Sequence, residues 1–255
     1  MSTEEYLREI LLDFKKQAVD YLLLDRDFIA GVERILSMDN INEKEKAKRI
    51  RRLAYYYLRR FRFEGKEVSF VERGEKGVSA IISYLEELMM RNNCFSILDV
   101  GSGLFPTTLD SWRIKPRVYI AVDKDEDVVK KLEEFSRSLR DVVLSVVRMD
   151  VARIDDYRKF VSSLEDKPCL AIYSRILHVL SRVHGVDPLE MIYSTPSKIQ
   201  VILEPKTSLV KEKDIASKEK KFLFTIAHRC VNSGICYKYD FYDFPNDVGV
   251  TLYLS

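Results

Sequence analysis

Residues 96–106 read Ser-Ile-Leu-Asp-Val-Gly-Ser-Gly-Leu-Phe-Pro and carry the strongest fold signal in this chain. The apolar run predicts a buried strand, the glycines predict a tight turn, and Pro106 predicts the start of a helix. A second apolar run, at residues 118–123, ends in a carboxylate. Strand, glycine turn, helix and strand in this order are typical of the nucleotide-binding half of a doubly wound parallel sheet.

The glycine turn reads D-x-G-x-G-x-x-P from Asp99 to Pro106, and not G-x-G-x-x-G. Gly101 and Gly103 let the backbone approach a ligand where a Cβ would collide. The third glycine of the dinucleotide pattern is missing, and Pro106 removes an amide that a pyrophosphate needs at a helix start. The turn therefore favours an adenosine ligand without phosphates. The alternative is an ordinary buried strand and turn that binds no ligand.

Two more carboxylates follow the next two predicted strands. Asp123 stands where it can accept hydrogen bonds from both hydroxyls of a ribose, and Asp150 follows the third strand. This pattern resembles motif I and the later acidic positions of class I S-adenosylmethionine-dependent methyltransferases. The resemblance implies S-adenosylmethionine as the cofactor, with Asp150 near the adenine amino group. The residues placed around that cofactor in this way are Asp99, Gly101, Ser102, Gly103, Asp123, Lys124, Asp150 and Val151.

Composition excludes some classes of protein and predicts few partners. The 255 residues carry 42 Lys and Arg against 40 Asp and Glu, so the net charge by itself indicates no partner. The four cysteines form no C-x-x-C pair and the three histidines have no metal-ligand spacing, so we expect reduced thiols and no metal in a cytoplasmic protein. No apolar run reaches the roughly 18 residues of a membrane span.

Apolar runs and helical patterns alternate from residue 95 onward. We expect strands at 96–100, 118–122, 142–147, 169–173 and 199–203, helices between them, and a hairpin at the C-terminus. The predicted fold class is α/β, a Rossmann-like class I methyltransferase sheet with a C-terminal antiparallel hairpin and an N-terminal helical subdomain before it. We expect residues 1–77 to form that subdomain, which docks RNA or closes as a lid, and residues 78–255 to form the methyltransferase domain.

The N-terminal region contains a basic segment at residues 44–63 with three consecutive tyrosines at 55–57. On a helix, one face carries Lys48, Arg52, Tyr55 and Arg59, which are spaced three or four residues apart. A basic face can bind phosphates and aromatic rings can stack on unpaired bases, although a solvated helix face with packed tyrosines explains the same pattern. The residues predicted to bind RNA are Lys48, Arg51, Arg52, Arg59, Arg60 and, after the fifth strand, Lys206.

The fourth strand ends in Tyr-Ser-Arg at residues 173–175, where an open α/β sheet binds its ligands. Tyr173, Ser174, Arg175 and Phe105 are therefore candidates for positioning the substrate, and Tyr173 or Phe105 for stacking on a base; no general base is assigned. We interpret His178, one helical turn on, as a core or surface histidine. The chain lacks the [D/N]-P-P-[Y/F] tetrapeptide that cradles an exocyclic amine, which disfavours methylation of adenine or cytosine amino groups.

Three short segments outside the cofactor motifs, at residues 72–85, 103–106 and 205–209, resemble the small-subunit ribosomal RNA guanine-N7 methyltransferases of the aminoglycoside-resistance type. In the region of the last segment, this chain lacks a glycine that the family has in its S-L-S-G pattern. The resemblance implies a ribosomal RNA substrate. It also implies a basic residue at the carboxylate of the cofactor, which we assign to Arg73, with Lys76 as the alternative.

Two other functions are compatible with the sequence. The protein could methylate a small molecule, with the N-terminal helices as a lid over an apolar pocket. It could also be a scaffold that binds the cofactor without catalysis.

Overall fold

The computed structural model of the protein describes residues 3–14, 16–24, 26–39, 41–58, 62–63, 66–67, 73–208 and 213–255. The chain divides into two compact units. The first contains Met1–Glu72 and Thr207–Lys213, and the second contains Arg73–Lys206 and Asp214–Ser255.

The first unit is helical. Its elements are α1 (Thr3–Ile10), α2 (Lys16–Leu24), α3 (Arg26–Leu36), α4 (Glu43–Leu58) and a ribbon of two antiparallel strands, β1 (Arg62–Phe63) and β2 (Lys66–Glu67). Asn42 caps α4, because its side-chain oxygen accepts from the backbone N–H of Glu45 at 2.9 Å. The helices bury a separate apolar cluster that includes Leu7, Leu11, Leu22, Phe28, Val32 and Ile50.

The second unit is built on a seven-stranded sheet. Its strands are β3 (Ser96–Val100), β4 (Val118–Asp123), β5 (Val143–Arg148), β6 (Leu170–Ser174), β7 (Ile199–Pro205), β8 (Cys236–Asp243) and β9 (Asp247–Leu254). Their order in the sheet is β5-β4-β3-β6-β7-β9-β8. The first five are parallel, and β9 runs antiparallel to both of its neighbours. Strand order reverses between β3 and β6, where open α/β sheets bind their ligands.

One helix precedes the first strand of this sheet, and the others connect its strands. They are α5 (Gly74–Asn92), a 3-10 helix (Phe105–Ser111), α6 (Glu126–Ser136), α7 (Ile154–Ser163), α8 (Leu177–His184), α9 (Pro188–Ser194) and α10 (Ala216–Asn232). Pro106 lies in the first turn of the 3-10 helix, as the sequence predicts. The first five strands lie within two residues of their predicted bounds, so the predicted Rossmann-like sheet with a C-terminal hairpin is confirmed.

The central strands are apolar because helices cover both faces of the sheet. Strands β3, β4, β6, β7 and β9 are buried over most of their length, whereas the edge strand β5 alternates between exposed and partly buried positions. Among the described residues, no helix is both long and apolar enough to cross a membrane.

The prediction of reduced thiols is wrong in this structure. Cys94 is bonded to Cys169, and Cys230 is bonded to Cys236. Folding brings residue 94, just after α5, within a Cα–Cα distance of 5.7 Å of residue 169, just before β6. Sequence spacing gives no sign of this pair because 75 residues separate its two members.

Candidate functional site

The glycine turn after β3 has the backbone conformation that its sequence requires. Gly101 and Gly103 have φ angles of +71° and +52°, values that favour glycine. The backbone N–H groups of Gly101 and Ser102 donate to the carbonyl of Val122, at 2.8 and 3.0 Å. A Cβ on Gly101 would lie 3.1 Å from the side chain of Ile176, so the turn is closely packed on that side.

Asp123, at the end of β4, is held against this turn. Its two carboxylate oxygens accept from the backbone N–H groups of Gly103 and Asp125, each at 2.9 Å. Burial raises the pKa of this carboxyl above its ordinary value. The carboxylate is therefore oriented by the backbone, and as an acceptor of several hydrogen bonds it suits hydroxyl donors on a ligand.

Asp150 and Val151 follow β5 beside this position. One oxygen of Asp150 accepts from the backbone N–H of Ala152 at 3.1 Å, and the other lies 3.9 Å from the ammonium of Lys124. Val151 is buried. The residues predicted to line the cofactor therefore follow three adjacent strands at one edge of the sheet.

Asp99 is fully buried below the turn. Its Oδ2 accepts from the hydroxyl of Tyr119 at 2.6 Å, and no partner for Oδ1 is found among the described residues. Burial raises the pKa of this carboxyl to about 7. An unsatisfied buried oxygen of this kind fits a donor on a bound ligand, such as the amino group of an amino-acid moiety.

Two buried arginines share one buried carboxylate near Asp99. The guanidinium of Arg73 lies 3.3 Å from Asp247 and also donates to the hydroxyl of Ser174. Arg175 donates to the other oxygen of Asp247 at 2.9 Å. Burial lowers the pKa of Arg73, and the charge of Asp247 opposes this shift. The two guanidinium groups thus meet at Asp247, and the carboxyl of Asp99 also acts electrostatically on Arg73.

Arg175 has a left-handed backbone conformation, with a φ angle of +60°. This conformation is uncommon outside glycine and costs on the order of 1 kcal/mol or more. Its backbone N–H donates to the carbonyl of Leu203 at 2.7 Å, which fixes the turn after β6. This turn accompanies the buried position of the Arg175 side chain beside Asp247.

Two predicted substrate-positioning residues do not have surfaces that could stack on a base. Tyr173 is fully buried, and its hydroxyl donates to Thr195 at 2.6 Å, so its predicted role is corrected to core packing. Phe105 is 4% exposed and packs edge-on against Trp112, with ring centroids 6.1 Å apart. For Tyr173 the sequence pattern could not reveal this, because inward and outward positions of a central strand are equally apolar.

The predicted RNA-binding residues have different environments. Arg51 donates to the carbonyl of Ile10 at 2.8 Å, so it joins two helices of the first unit. Lys48 is exposed and pairs with Glu45 at 3.6 Å. Lys206, in the second unit, is paired with Asp243. Arg52 is exposed on α4, whereas Arg59 and Arg60 lie outside the described residues.

Sequence reasoning missed Asp247, on which both arginines depend. It lies in Pro-Asn-Asp between two apolar strands, a pattern that indicates only a turn. In the structure it is fully buried, and the neighbouring Asn246 donates to the carbonyl of Arg73 at 2.6 Å. The sequence does not show that this carboxylate lies next to a buried arginine, because the contact forms only when the hairpin packs beside β7.

Comparison with known proteins places this fold in a class. No family model matches the chain, and no curated protein matches it. Solved structures do, among them the 16S rRNA methylase ArmA, at 17% identity and a TM-score of 0.51 over 80% of this chain and 97% of that one. The chain has the class I methyltransferase fold.

Two further structures are similar over most of this chain. The 16S rRNA methyltransferase RmtF, solved in complex with S-adenosyl-L-homocysteine, is 16% identical with a TM-score of 0.51, and the match covers 91% of this chain and 100% of that one. An rRNA methylase from Escherichia coli is 13% identical with a TM-score of 0.52, and the match covers 93% and 98%. Within the class, the fold is thus similar to that of ribosomal RNA methylases.

Proposed function

We propose that this protein is an S-adenosylmethionine-dependent methyltransferase that acts on RNA, with guanine N7 of small-subunit ribosomal RNA as the favoured acceptor. The observation that carries the proposal is the alignment of Asp99, the glycine turn, Asp123 and Asp150 along the carboxyl ends of adjacent strands. The similarity of the fold to 16S rRNA methylases supports the choice of RNA.

The residues at the carboxyl ends of these strands match the chemical groups of S-adenosylmethionine. Asp123 would accept from the ribose hydroxyls, and Asp150 with the backbone of Val151 would contact the adenine. Arg73, 4% exposed and beside Ser174, would pair with the carboxylate of the methionine moiety. The unsatisfied Oδ1 of Asp99 would accept from its ammonium group.

Methyl transfer to guanine N7 requires few catalytic groups from the protein. When bound, the cofactor supplies a methyl group on a positively charged sulfur. The N7 nitrogen has a free lone pair and no proton to remove, so the protein needs to position the base and has no need of a general base. The strained turn at Arg175 lies at the edge where the base would enter, next to Ser174.

The first unit would bind the RNA backbone through the basic face of α4, on which Lys48 and Arg52 are exposed. We propose that the first unit docks RNA and that the second unit, which begins at Arg73 and not at the predicted residue 78, carries the chemistry. We also propose a cytoplasmic location, where ribosomal RNA is found. Two disulfides are uncommon in that compartment except in hyperthermophiles.

Calorimetric titration with S-adenosylmethionine tests the cofactor site first. We expect binding by the wild type, no binding of NAD, and a loss of affinity of about tenfold or more in Asp123→Ala, because two hydrogen bonds to a charged group are removed. Asp156→Ala is the matched control, since this carboxylate is exposed on α7. Equal affinity in Asp123→Ala and wild type would refute the assignment of the ribose site.

Methyl transfer tests the substrate. The protein is incubated with radiolabelled cofactor and, separately, with small ribosomal subunits, naked small-subunit RNA, transfer RNA and a pool of small metabolites. Label in ribosomal RNA, followed by strand scission specific for N7-methylguanine, is the expected result. Label only in metabolites would support the small-molecule alternative, and cofactor binding without any transfer would support a scaffold.

A further inference from the structure

A second cluster of ionisable side chains lies outside the proposed cofactor site. It contains His178 at the start of α8, Glu204 in β7 and Glu219 in α10. The imidazole nitrogen and the carboxylate oxygens all lie within 4.8 Å of one another. Because the three residues come from three different elements, only the packed fold brings them together.

The two carboxylates are nearly inaccessible, each with about 2% of its surface exposed. Two buried carboxylates side by side are unfavourable unless a proton or a cation lies between them. The charge of Arg175 acts on Glu204 and offsets part of this cost, whereas Lys218 lies 3.9 Å from Glu219 at the surface, where it contributes little.

The imidazole is oriented towards this space. Its Nδ1 is hydrogen-bonded to Glu219, and its ring stacks on Phe222 with centroids 4.4 Å apart and planes at 21°. The backbone N–H of His178 donates to Glu204 at 3.1 Å. The three side chains are therefore held in place by one another and by a ring that fixes the imidazole plane, an arrangement that reduces the cost of ordering metal ligands.

We infer that His178, Glu204 and Glu219 form a binding site for one divalent transition cation. One imidazole nitrogen and two carboxylate oxygens suit Zn²⁺, Mn²⁺ and Co²⁺. Metal–ligand bonds of about 2.0–2.2 Å place donor atoms roughly 3–3.5 Å apart. The donor atoms of this cluster lie within 4.8 Å of one another, so small adjustments would bring them to that spacing. Three protein ligands leave further coordination positions for water or an oxygen of a bound molecule.

The site lies near the carboxyl ends of β6 and β7, at the same edge of the sheet as the proposed cofactor site. The sequence gives no hint of it, because 26 residues separate His178 from Glu204 and 41 separate it from Glu219. This inference replaces two expectations drawn from the sequence, that the protein holds no metal and that His178 is an ordinary core or surface histidine. It does not depend on methyl transfer.

Calorimetry with metal alone tests the inference. The full-length protein is treated with a chelator, the chelator is removed, and Zn²⁺, Mn²⁺ and Co²⁺ are titrated separately, with Mg²⁺ for comparison. We expect one ion per chain, and affinity about tenfold or more lower in both His178→Gln and Glu219→Gln. His184→Gln and His228→Gln, at exposed histidines outside the cluster, should bind as the wild type does.

Absence of saturable binding by the wild type would overturn the inference, as would equal affinity in wild type and ligand variants. Circular dichroism checks that each variant is folded, and Glu204→Gln, which keeps the shape of the buried side chain, replaces any variant that is not. The visible absorption of bound Co²⁺ should also be lost in His178→Gln. Because no cofactor or RNA is present, failure here leaves the proposed methyltransferase function unaffected.

Discussion

Asp99 combines a structural role with a proposed role in cofactor binding. Its buried carboxyl has one oxygen paired with Tyr119 and the other without a partner among the described residues. The residue is thus arranged for a ligand and not for maximal stability of the free protein. The same holds for Arg175, which keeps a strained backbone angle in order to reach Asp247.

The pH dependence of stability should reveal this arrangement at Asp99. Burial raises its pKa to about 7 in the folded protein, whereas an unfolded Asp titrates near about 3.9. The folded state therefore binds the proton more tightly, and the stability present below about pH 4 is lost as the pH rises through about 7. Asp99→Asn does not titrate, so its free energy of unfolding relative to wild type should rise between pH 5 and pH 8, by on the order of 2 kcal/mol.

Urea unfolding at the two pH values measures this difference. Asp156→Asn, at an exposed position of α7, should change stability equally at both. The same Asp99→Asn variant should bind S-adenosylmethionine more weakly, since it loses the charge that faces the ammonium group. A difference in unfolding free energy that is constant with pH would mean that Asp99 is already ionised in the folded protein at pH 5.

Among the elements of the fold, the turn between β3 and the 3-10 helix is the most tightly constrained by sequence. Gly101→Ala should destabilise the protein by about 1–2 kcal/mol through its φ angle of +71°, and by more through contact with Ile176. Gly185→Ala is a matched control, because Gly185 has a φ angle of +70° and open space around it. Thermal unfolding of both variants separates the two causes, and equal losses would mean that the contact with Ile176 has no cost.

The disulfide between Cys94 and Cys169 joins α5 to β6. A loop of 75 residues predicts a loss of about 4 kcal/mol on its removal, against about 2 kcal/mol for the loop of 6 residues between Cys230 and Cys236. Cys94→Ser should therefore lower the melting temperature more than Cys236→Ser does. Thiol titration of the native protein should find no free thiol before reduction; four would indicate the reduced protein that the cysteine spacing suggests.

For the whole molecule, RNA binding should depend on salt through the basic face of α4. We expect Lys48→Ala with Arg52→Ala to reduce RNA affinity several-fold and to lower the slope of log affinity against log salt by about 0.7–0.9 for each phosphate that the variant no longer neutralises. The control pair is Lys159→Ala with Lys130→Ala, at exposed positions of the second unit. An unchanged slope in the α4 variant would indicate a solvated face that does not bind phosphates.

Much of this molecule could be predicted from short stretches of sequence. The parallel strands and the glycine turn depend on local patterns, namely apolar runs, left-handed glycines and a proline at a helix start. Asp123 and Asp150 could be predicted to lie near the glycine turn because Asp123 ends β4 and Asp150 lies two residues after β5. The ends of parallel strands necessarily meet at one edge of a sheet, so position in the sequence is sufficient for them.

The sheet, the terminal hairpin and the sequence positions of the residues proposed to bind the cofactor therefore follow from local patterns. Folding brings Asp247 between Arg73 and Arg175, buries Tyr173, and brings Cys94 to Cys169 and His178 to two glutamates. These contacts span from 26 to 174 residues of chain. Local periodicity carries no information about such distant pairs, because they form through the packing of helices and strands that are each stable for other reasons.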